Sequence, residues 1–327
     1  MEKNPVSLIS IAKFHRLPAK EFEAQYKNHL SGFKDWDQID HADEWLLFPK
    51  NIGQWLSIDE VALSNGELYT IVTNKQAKGG PGAIVAMAHG NKASEIQPIL
   101  QRMPEEKRRV VEEITLDMAG SMDIIAGGSF SGAIQVIDRF HAQKVVSEAV
   151  QEIRIELRKK AIKKENEAIT QAQKERRRYR PAEYENGDTK KQLLARSRYL
   201  LFKSSGKWTD SQKNRAAILF EQFPEIKNAY ELSMMFRAFY EQNKNQFDAK
   251  KSLDKWYEKI KEKNIDSFNI AAESIRLRET TILNYFNNRS TNASAESFNA
   301  KLKSFRSMVR GVRDIKFHLF RVAKLYA

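Results

Sequence analysis

The chain has 327 residues, a net charge of +13 and no cysteine. This length suits about two domains, and a hydrophobic share of 41% is enough for a true core. Without cysteine, the chain can form neither a disulfide nor a zinc site with cysteine ligands. No stretch of about 18 apolar residues and no signal-peptide pattern occurs, so the sequence predicts a cytoplasmic protein that spans no membrane.

The positive charge is concentrated in two segments. Residues 151–180 contain eleven Lys or Arg against five Asp or Glu, and residues 301–327 contain eight against one, which leaves the rest of the chain neutral. Concentrated positive charge favours binding to a polyanion, because each neutralised phosphate releases counterions. A pair of solvated basic helices is the alternative interpretation, but two separate basic segments favour nucleic acid.

The first half of the chain predicts a short helical arm and then a meander of strands. Residues 1–48 form helix-like fragments with aromatic anchors, an N-terminal arm too short for a sturdy domain. Residues 55–63, 68–72 and 83–87 are rich in strand-forming residues and are separated by turn signals, which indicates three antiparallel strands. Apolar spacing over residues 93–103 predicts the helix that follows.

Two apolar runs between residues 109 and 141 each lead to an acid. Asp117 follows the first run and Asp138 follows the second, and a glycine-containing segment between them predicts a short crossover helix. An acid just past a strand lies at the carboxyl edge of the sheet, where α/β proteins place their chemistry. Asp117 is therefore the best single candidate for a reactive residue, although Asp123 in the crossover segment is a nearby competitor.

The second half of the chain predicts helices. Residues 49–150 and 287–327 are interpreted as two parts of one catalytic core, and residues 151–286 as an all-helical insertion between them. In the last segment, Asn292 is a candidate N-cap residue and an apolar stripe follows it. At 100° per residue, Glu296 lies off that stripe on a helix side shared with Lys303.

This order of elements is typical of the ribonuclease H-like fold, an α/β fold. It predicts a mixed five-stranded sheet with an all-helical insertion before the last catalytic helix. In that fold the middle of the first strand and the end of the fourth approach each other, and these positions are Asp59 and Asp117. Together with Glu296, they could hold two Mg²⁺ or Mn²⁺ ions about 3.5–4 Å apart for phosphoryl transfer.

Four short motifs resemble the DDE transposases of bacterial insertion sequences, and most of all the ISL-three family. They are Ile58-Asp59-Glu60, Thr115-Leu116-Asp117-Met118, Asp138-Arg139-Phe140-His141 and the stretch 290–301. The resemblance covers roughly residues 45–326 and implies an enzyme that nicks transposon ends and joins the freed strands to target DNA.

The resemblance also implies roles for individual residues. Asp59, Asp117 and Glu296 would form the catalytic, metal-binding triad; Asp138 and His141 match an accessory Asp-x-x-His signature; and Lys303 matches a phosphate-contacting lysine. Further DNA contacts are expected from the basic residues of the two charged segments, Arg176, Arg177, Arg178, Arg306 and Arg310.

The expected partner is double-stranded DNA, namely transposon ends and target, in the bacterial nucleoid. Because both ends of an element are cut together, at least a homodimer is expected on DNA. Family members usually begin with a cysteine-rich zinc-binding segment and a helix-turn-helix, and neither precedes the first strand here. End recognition could therefore belong to a companion polypeptide. Asn74 stands where relatives tend to carry an aspartate, which is not one of the triad.

Each residue also has a plainer interpretation. A lone aspartate after a strand often forms a turn, His141 could be a structural hydrogen-bonding residue, and Lys303 could be ordinary surface. The case depends on the ordered set of acids. Two other functions stay open: a ribonuclease H-like nuclease that cuts without joining strands, and a transposase-derived DNA-binding protein without catalysis.

Overall fold

The computed structural model describes residues 4–63, 66–309 and 314–327. The chain divides into two compact units. Residues 1–138 and 288–327 form the first, named the sheet unit here, and residues 139–287 form the second, the helical unit. No helix in the described part of the chain has the length and apolar character needed to cross a membrane.

A mixed sheet of six strands, counted over the described residues, is the framework of the sheet unit. The strands are β1 (Trp45–Leu47), β2 (Trp55–Ala62), β3 (Leu68–Asn74), β4 (Ile84–His89), β5 (Glu113–Leu116) and β6 (Ile134–Ile137). Their spatial order is β1-β4-β3-β2-β5-β6. The first four are joined in antiparallel pairs, and β2, β5 and β6 run parallel to one another.

The predicted α/β fold is confirmed, with one strand more than the five expected. The additional strand is β1, a segment that the sequence places in the helical arm; it pairs with β4 through Leu46 and Met87. Three residues are too few to show an alternating pattern, so only the pairing itself identifies this strand. The other strands agree with the predicted runs to within a few residues.

Helices cover both faces of the sheet. The helices of the sheet unit are α1 (Leu8–Phe14), α2 (Ala19–Gln25), α3 (Ala93–Leu100), α4 (Glu105–Arg108), α5 (Gly120–Ser129), α14 (Ala293–Met308) and α15 (Ile315–Tyr326). On one face, α14 and α15 contribute Phe298, Leu302 and Leu319 to a core that also contains Val61 and Ile71 from the sheet. Helices α3 and α5 pack against each other, and each contacts strands of the sheet.

Alternation along β2 decides which side chains face α14. Val61 lies in the core beneath α14, so Asp59, two residues earlier, points to the same face. Glu60 points to the opposite face, where its carboxylate accepts a hydrogen bond from Asn91 at 3.2 Å. Only one of the two neighbouring acids can therefore belong to a site under α14.

The helical unit begins with a 36-residue helix and is otherwise built from shorter ones. Its helices are α6 (Arg139–Lys174), α7 (Lys190–Arg196), α8 (Asp210–Gln222), α9 (Pro224–Gln242), α10 (Gln246–Lys263), α11 (Asp266–Arg276), α12 (Glu279–Leu283) and α13 (Tyr285–Asn288), the last ending at the boundary of the unit. Trp256 is fully buried, and its indole N–H donates to the carbonyl of Leu232 at 2.9 Å. The buried carboxylate of Asp188 accepts from both Arg196 and Arg215.

Candidate active site

The parallel strands bring three aspartates to one edge of the sheet. Ser57 pairs with Thr115 in the β2–β5 register, so two residues further along Asp59 is level with Asp117. Leu116 pairs with Ile137 in the β5–β6 register, so Asp117 is in turn level with Asp138. The register therefore places the three acids in one row, with Asp59 inside β2 and with Asp117 and Asp138 just past the carboxyl ends of β5 and β6.

Asp59 is half-buried, and both of its carboxylate oxygens are hydrogen-bonded. Oδ1 accepts from the backbone N–H of Glu60 at 2.8 Å, and Oδ2 accepts from Asn299 Nδ2 at 2.7 Å. Asn299 lies on α14, three residues after Glu296. This bond ties the first strand of the proposed triad to the helix that carries its last member.

Asp117 directly follows β5 and is also half-buried. Its Oδ1 accepts from the backbone N–H of Ala119 at 2.8 Å, a local bond that fixes the turn leading into α5. A carboxylate oxygen has two lone pairs, so this bond leaves acceptor capacity on both oxygens. The turn-forming role and a ligand role are therefore compatible.

Asp138 and Glu296 lie close together. Asp138 is 2% exposed and follows β6, while Glu296 is exposed in the first turn of α14. A carboxylate oxygen of one residue lies within 4.8 Å of an oxygen of the other, close enough for both to hold one cation. Asp138 Oδ1 also accepts from the backbone N–H of Asn292 at 3.1 Å.

Among the described residues, the cation-sized cluster of ligand atoms does not contain all three members of the predicted triad, which stays a prediction. Glu296 is grouped with Asp138, whereas Asp59 and Asp117 lie outside that group. Glu296 is nevertheless within one helical turn of the residue that contacts Asp59. Oxygen donors of this kind suit Mg²⁺ or Mn²⁺, so the residues present fit the expected cations. His141 lies in the first turn of α6, which belongs to the helical unit.

A half-buried lysine beside the acidic row was not anticipated from the sequence. Lys75 follows β3, and its Nζ donates to Thr115 Oγ1 at 2.8 Å and lies 3.8 Å from Glu113 Oε1. Burial lowers the pKa of the Lys75 ammonium, and the negative charges of Glu113 and Asp138 oppose that shift. The alternation of β5, which directs Glu113 and Thr115 to one face, was the available signal for this polar layer.

The predicted DNA contacts have different surroundings. Lys303 and the run Arg176–Arg178 are exposed, the latter in the helical unit. Arg306 does not fit the predicted DNA contact, because it is only 7% exposed. Its Nη2 donates to Glu67 Oε1 at 2.6 Å, so its charge is paired inside the sheet unit. Arg310 lies outside the described residues.

The chain was compared with models of protein families and with curated proteins. A family model described as a transposase, that of the ISL-three DDE transposases, matches residues 56–322. This range runs from β2 to α15 and includes every member of the acidic row as well as Glu296. No curated protein matches the chain.

Proposed function

Since the chain belongs to the ISL-three family of DDE transposases, we propose that it cleaves DNA at transposon ends and transfers the freed strands to target DNA. Membership of a transposase family implies action on DNA; the two-metal mechanism and strand transfer are the proposed part. The observation that carries the proposal is the row of Asp59, Asp117 and Asp138 on adjacent strands, with Glu296 beside its last member.

We assign cation binding to Asp59, Asp117 and Glu296, with Asp138 and His141 in accessory roles. Two Mg²⁺ or Mn²⁺ ions, when bound, would activate a water or 3′-hydroxyl for attack and stabilise the leaving oxygen. The protein's contribution is to hold its carboxylates in fixed directions before DNA arrives. Bonds from Asn299 to Asp59 and from Ala119 to Asp117 do this for two of them.

Basic surfaces in both units support the binding of DNA. In the sheet unit, Lys303 is exposed on α14, two helical turns after Glu296, where it could contact a phosphate close to the scissile bond. In the helical unit, the exposed side of α6 contains Lys159, Lys163 and Lys174, and the run Arg176–Arg178 follows it directly. Phosphate contacts of this kind give affinity and position without reading sequence.

Assembly and end recognition are further parts of the proposal. Cleavage of both transposon ends in one event requires two active sites, so the active species would be at least a homodimer on DNA. Phosphate contacts alone cannot identify an end, so a companion DNA-reading polypeptide could supply that specificity. The substrate would place the complex at the bacterial nucleoid.

The test is strand transfer by the purified full chain. The substrate would be DNA carrying the inverted repeats that flank the coding region, incubated with Mg²⁺ or Mn²⁺ and target DNA. We expect cleaved ends and joined products from the wild type, and neither from Asp117→Asn, while DNA affinity stays unchanged. Asp123→Asn is the matched control, since Asp123 lies in α5 rather than in the acidic row.

The outcomes separate the three candidate functions. Cleavage without joining would favour a ribonuclease H-like nuclease. DNA binding without cleavage by the wild type, even with a companion protein supplied, would favour a DNA-binding protein derived from a transposase. Cleavage that survives Asp117→Asn would show that the site has been assigned wrongly.

A further inference from the structure

Asn292 connects three elements beside the candidate active site. It is 0% exposed, and its side-chain Oδ1 accepts from Ser57 Oγ of β2 at 2.7 Å. Its backbone N–H donates to Asp138 Oδ1 at 3.1 Å, and its backbone carbonyl accepts from the N–H of Glu296 at 2.9 Å. One residue is therefore bonded to β2, to the end of β6 and to the catalytic turn of α14.

The side chain of Asn292 does not play the usual part of its position. An asparagine at an N-cap normally accepts a hydrogen bond from the second or third N–H of its helix. Here Asn292 is the N-cap of α14 but makes no such bond, and its Oδ1 accepts from Ser57 instead. Its Nδ2 is buried with no acceptor among the described residues, which costs folding free energy.

A second asparagine connects α14 to the sheet from the other side of Glu296. Asn299 is 7% exposed, and its Nδ2 donates to Asp59 Oδ2 at 2.7 Å. Glu296 is exposed and lies four residues after Asn292 and three before Asn299. The part of the helix that presents the carboxylate is thus fixed to the acidic strands at both ends.

We propose that Asn292 and Asn299 are positioning residues that set Glu296 against the aspartate row, so that the carboxylates can share divalent cations. This inference rests on the proposed function, because it presumes that these acids bind metal. Residues that orient the ligands of a metal site change metal affinity by roughly 10–100-fold when they are removed. The effect should therefore appear in metal binding itself, independent of DNA cleavage.

The test is titration of the full-length protein with Mn²⁺, without DNA, by isothermal titration calorimetry. Asn292→Ala and Ser57→Ala remove the same hydrogen bond from its two sides, and each should raise the Kd for Mn²⁺ by roughly 10–100-fold. The double variant should bind Mn²⁺ no more weakly than the single variant with the lower affinity, because the effects of two substitutions that remove one bond do not add. Asn299→Ala should weaken binding in the same direction.

Asn51→Ala is the matched control. Asn51 is half-buried in the same unit, and its Nδ2 donates to the carbonyl of Ile84 at 2.8 Å, on the antiparallel side of the sheet. This variant should bind Mn²⁺ like the wild type. Circular dichroism and the midpoint of thermal unfolding would show that every variant compared is folded.

A folded Asn292→Ala protein that binds Mn²⁺ with wild-type affinity overturns the proposal. If Asn292→Ala does not fold, Ser57→Ala decides by the same criterion, since it leaves the asparagine in place. A wild type that binds no Mn²⁺ overturns both the metal site and its positioning. If the proposed function is wrong but the metal site is right, the wild type will fail to join DNA strands while still binding Mn²⁺. The comparison of Mn²⁺ affinities among the variants would then still hold.

Discussion

Replacing Arg306 by glutamine tests whether this residue stabilises the fold or binds DNA. Arg306 is 7% exposed, and its Nη2 lies 2.6 Å from Glu67 Oε1. The substitution would leave the Glu67 carboxylate, whose side chain is 13% exposed, without its cation. Removing one partner of a buried ion pair lowers the free energy of unfolding by about 3–5 kcal/mol. We expect the lower end of that range because Glu67 retains some contact with water.

Lys303→Gln is the matched substitution on the same helix. Lys303 is exposed, so its loss should change the free energy of unfolding by no more than about 0.5 kcal/mol. If it contacts one phosphate, the slope of log K against log salt for a DNA duplex should fall in magnitude by about 0.9. Arg306→Gln should leave that slope unchanged.

Two measurements are needed for this pair. Urea unfolding followed by circular dichroism gives the free energy of unfolding, and fluorescence anisotropy of a labelled duplex over about 50–200 mM salt gives the slope. Glu67→Gln should be destabilised like Arg306→Gln, because it breaks the same pair from the other side. An Arg306→Gln protein with wild-type stability and a smaller salt slope would refute the reasoning and restore Arg306 as a DNA contact.

Two further predictions concern pH and the basic helix. Burial and two neighbouring arginines lower the pKa of His318 from 6.5 to about 3, so below pH 6.5 only the unfolded chain takes up this proton. The neutral state of His318 therefore contributes its full stabilisation above pH 6.5. Protonation of the unfolded chain then lowers the free energy of unfolding by about 2 kcal/mol between pH 7 and pH 5. His318→Phe should lose less stability over that interval in urea titrations, and an unchanged difference would contradict the buried neutral state. Replacing Lys159 and Lys163 together by glutamine should weaken DNA binding and reduce its salt slope, whereas Lys207→Gln, at an exposed lysine outside α6, should do neither.

The sheet was largely predictable because its strands show their pattern locally. Strand-forming residues separated by turn signals predict β2, β3 and β4, and the apolar runs before Asp117 and Asp138 predict β5 and β6. Strand β1 could not be found in this way, since a three-residue edge strand is defined by its partner rather than by its own sequence.

The sequence shows which acids are candidates for the site, but it does not show the hydrogen bonds that connect them to the rest of the sheet unit. Spacing shows which residues are acidic and which lie near strand ends, but it does not show that the side chain of Asn292 turns away from its own helix towards Ser57. It also does not show whether a basic residue on α14 reaches solvent. Arg306 and Lys303 are three residues apart, and only the contact with Glu67 separates them.

The connections also explain how the sheet unit can accommodate so long an insertion. The 149 residues of the helical unit leave the sheet unit after Asp138 and return at Asn288. Closing a loop of that length costs little more than closing one half as long, because the entropy grows only with the logarithm of length. What the sheet unit must fix is the position of Asp138, where the chain leaves it, relative to Asn288, where the chain returns. The bond from the Asn292 N–H to Asp138 and the bond from Asn288 Nδ2 to Glu113 at 3.0 Å supply it. The start of α14, which carries Glu296, is therefore held within the sheet unit both by these polar contacts and by the apolar packing of Phe298 and Leu302 against the sheet.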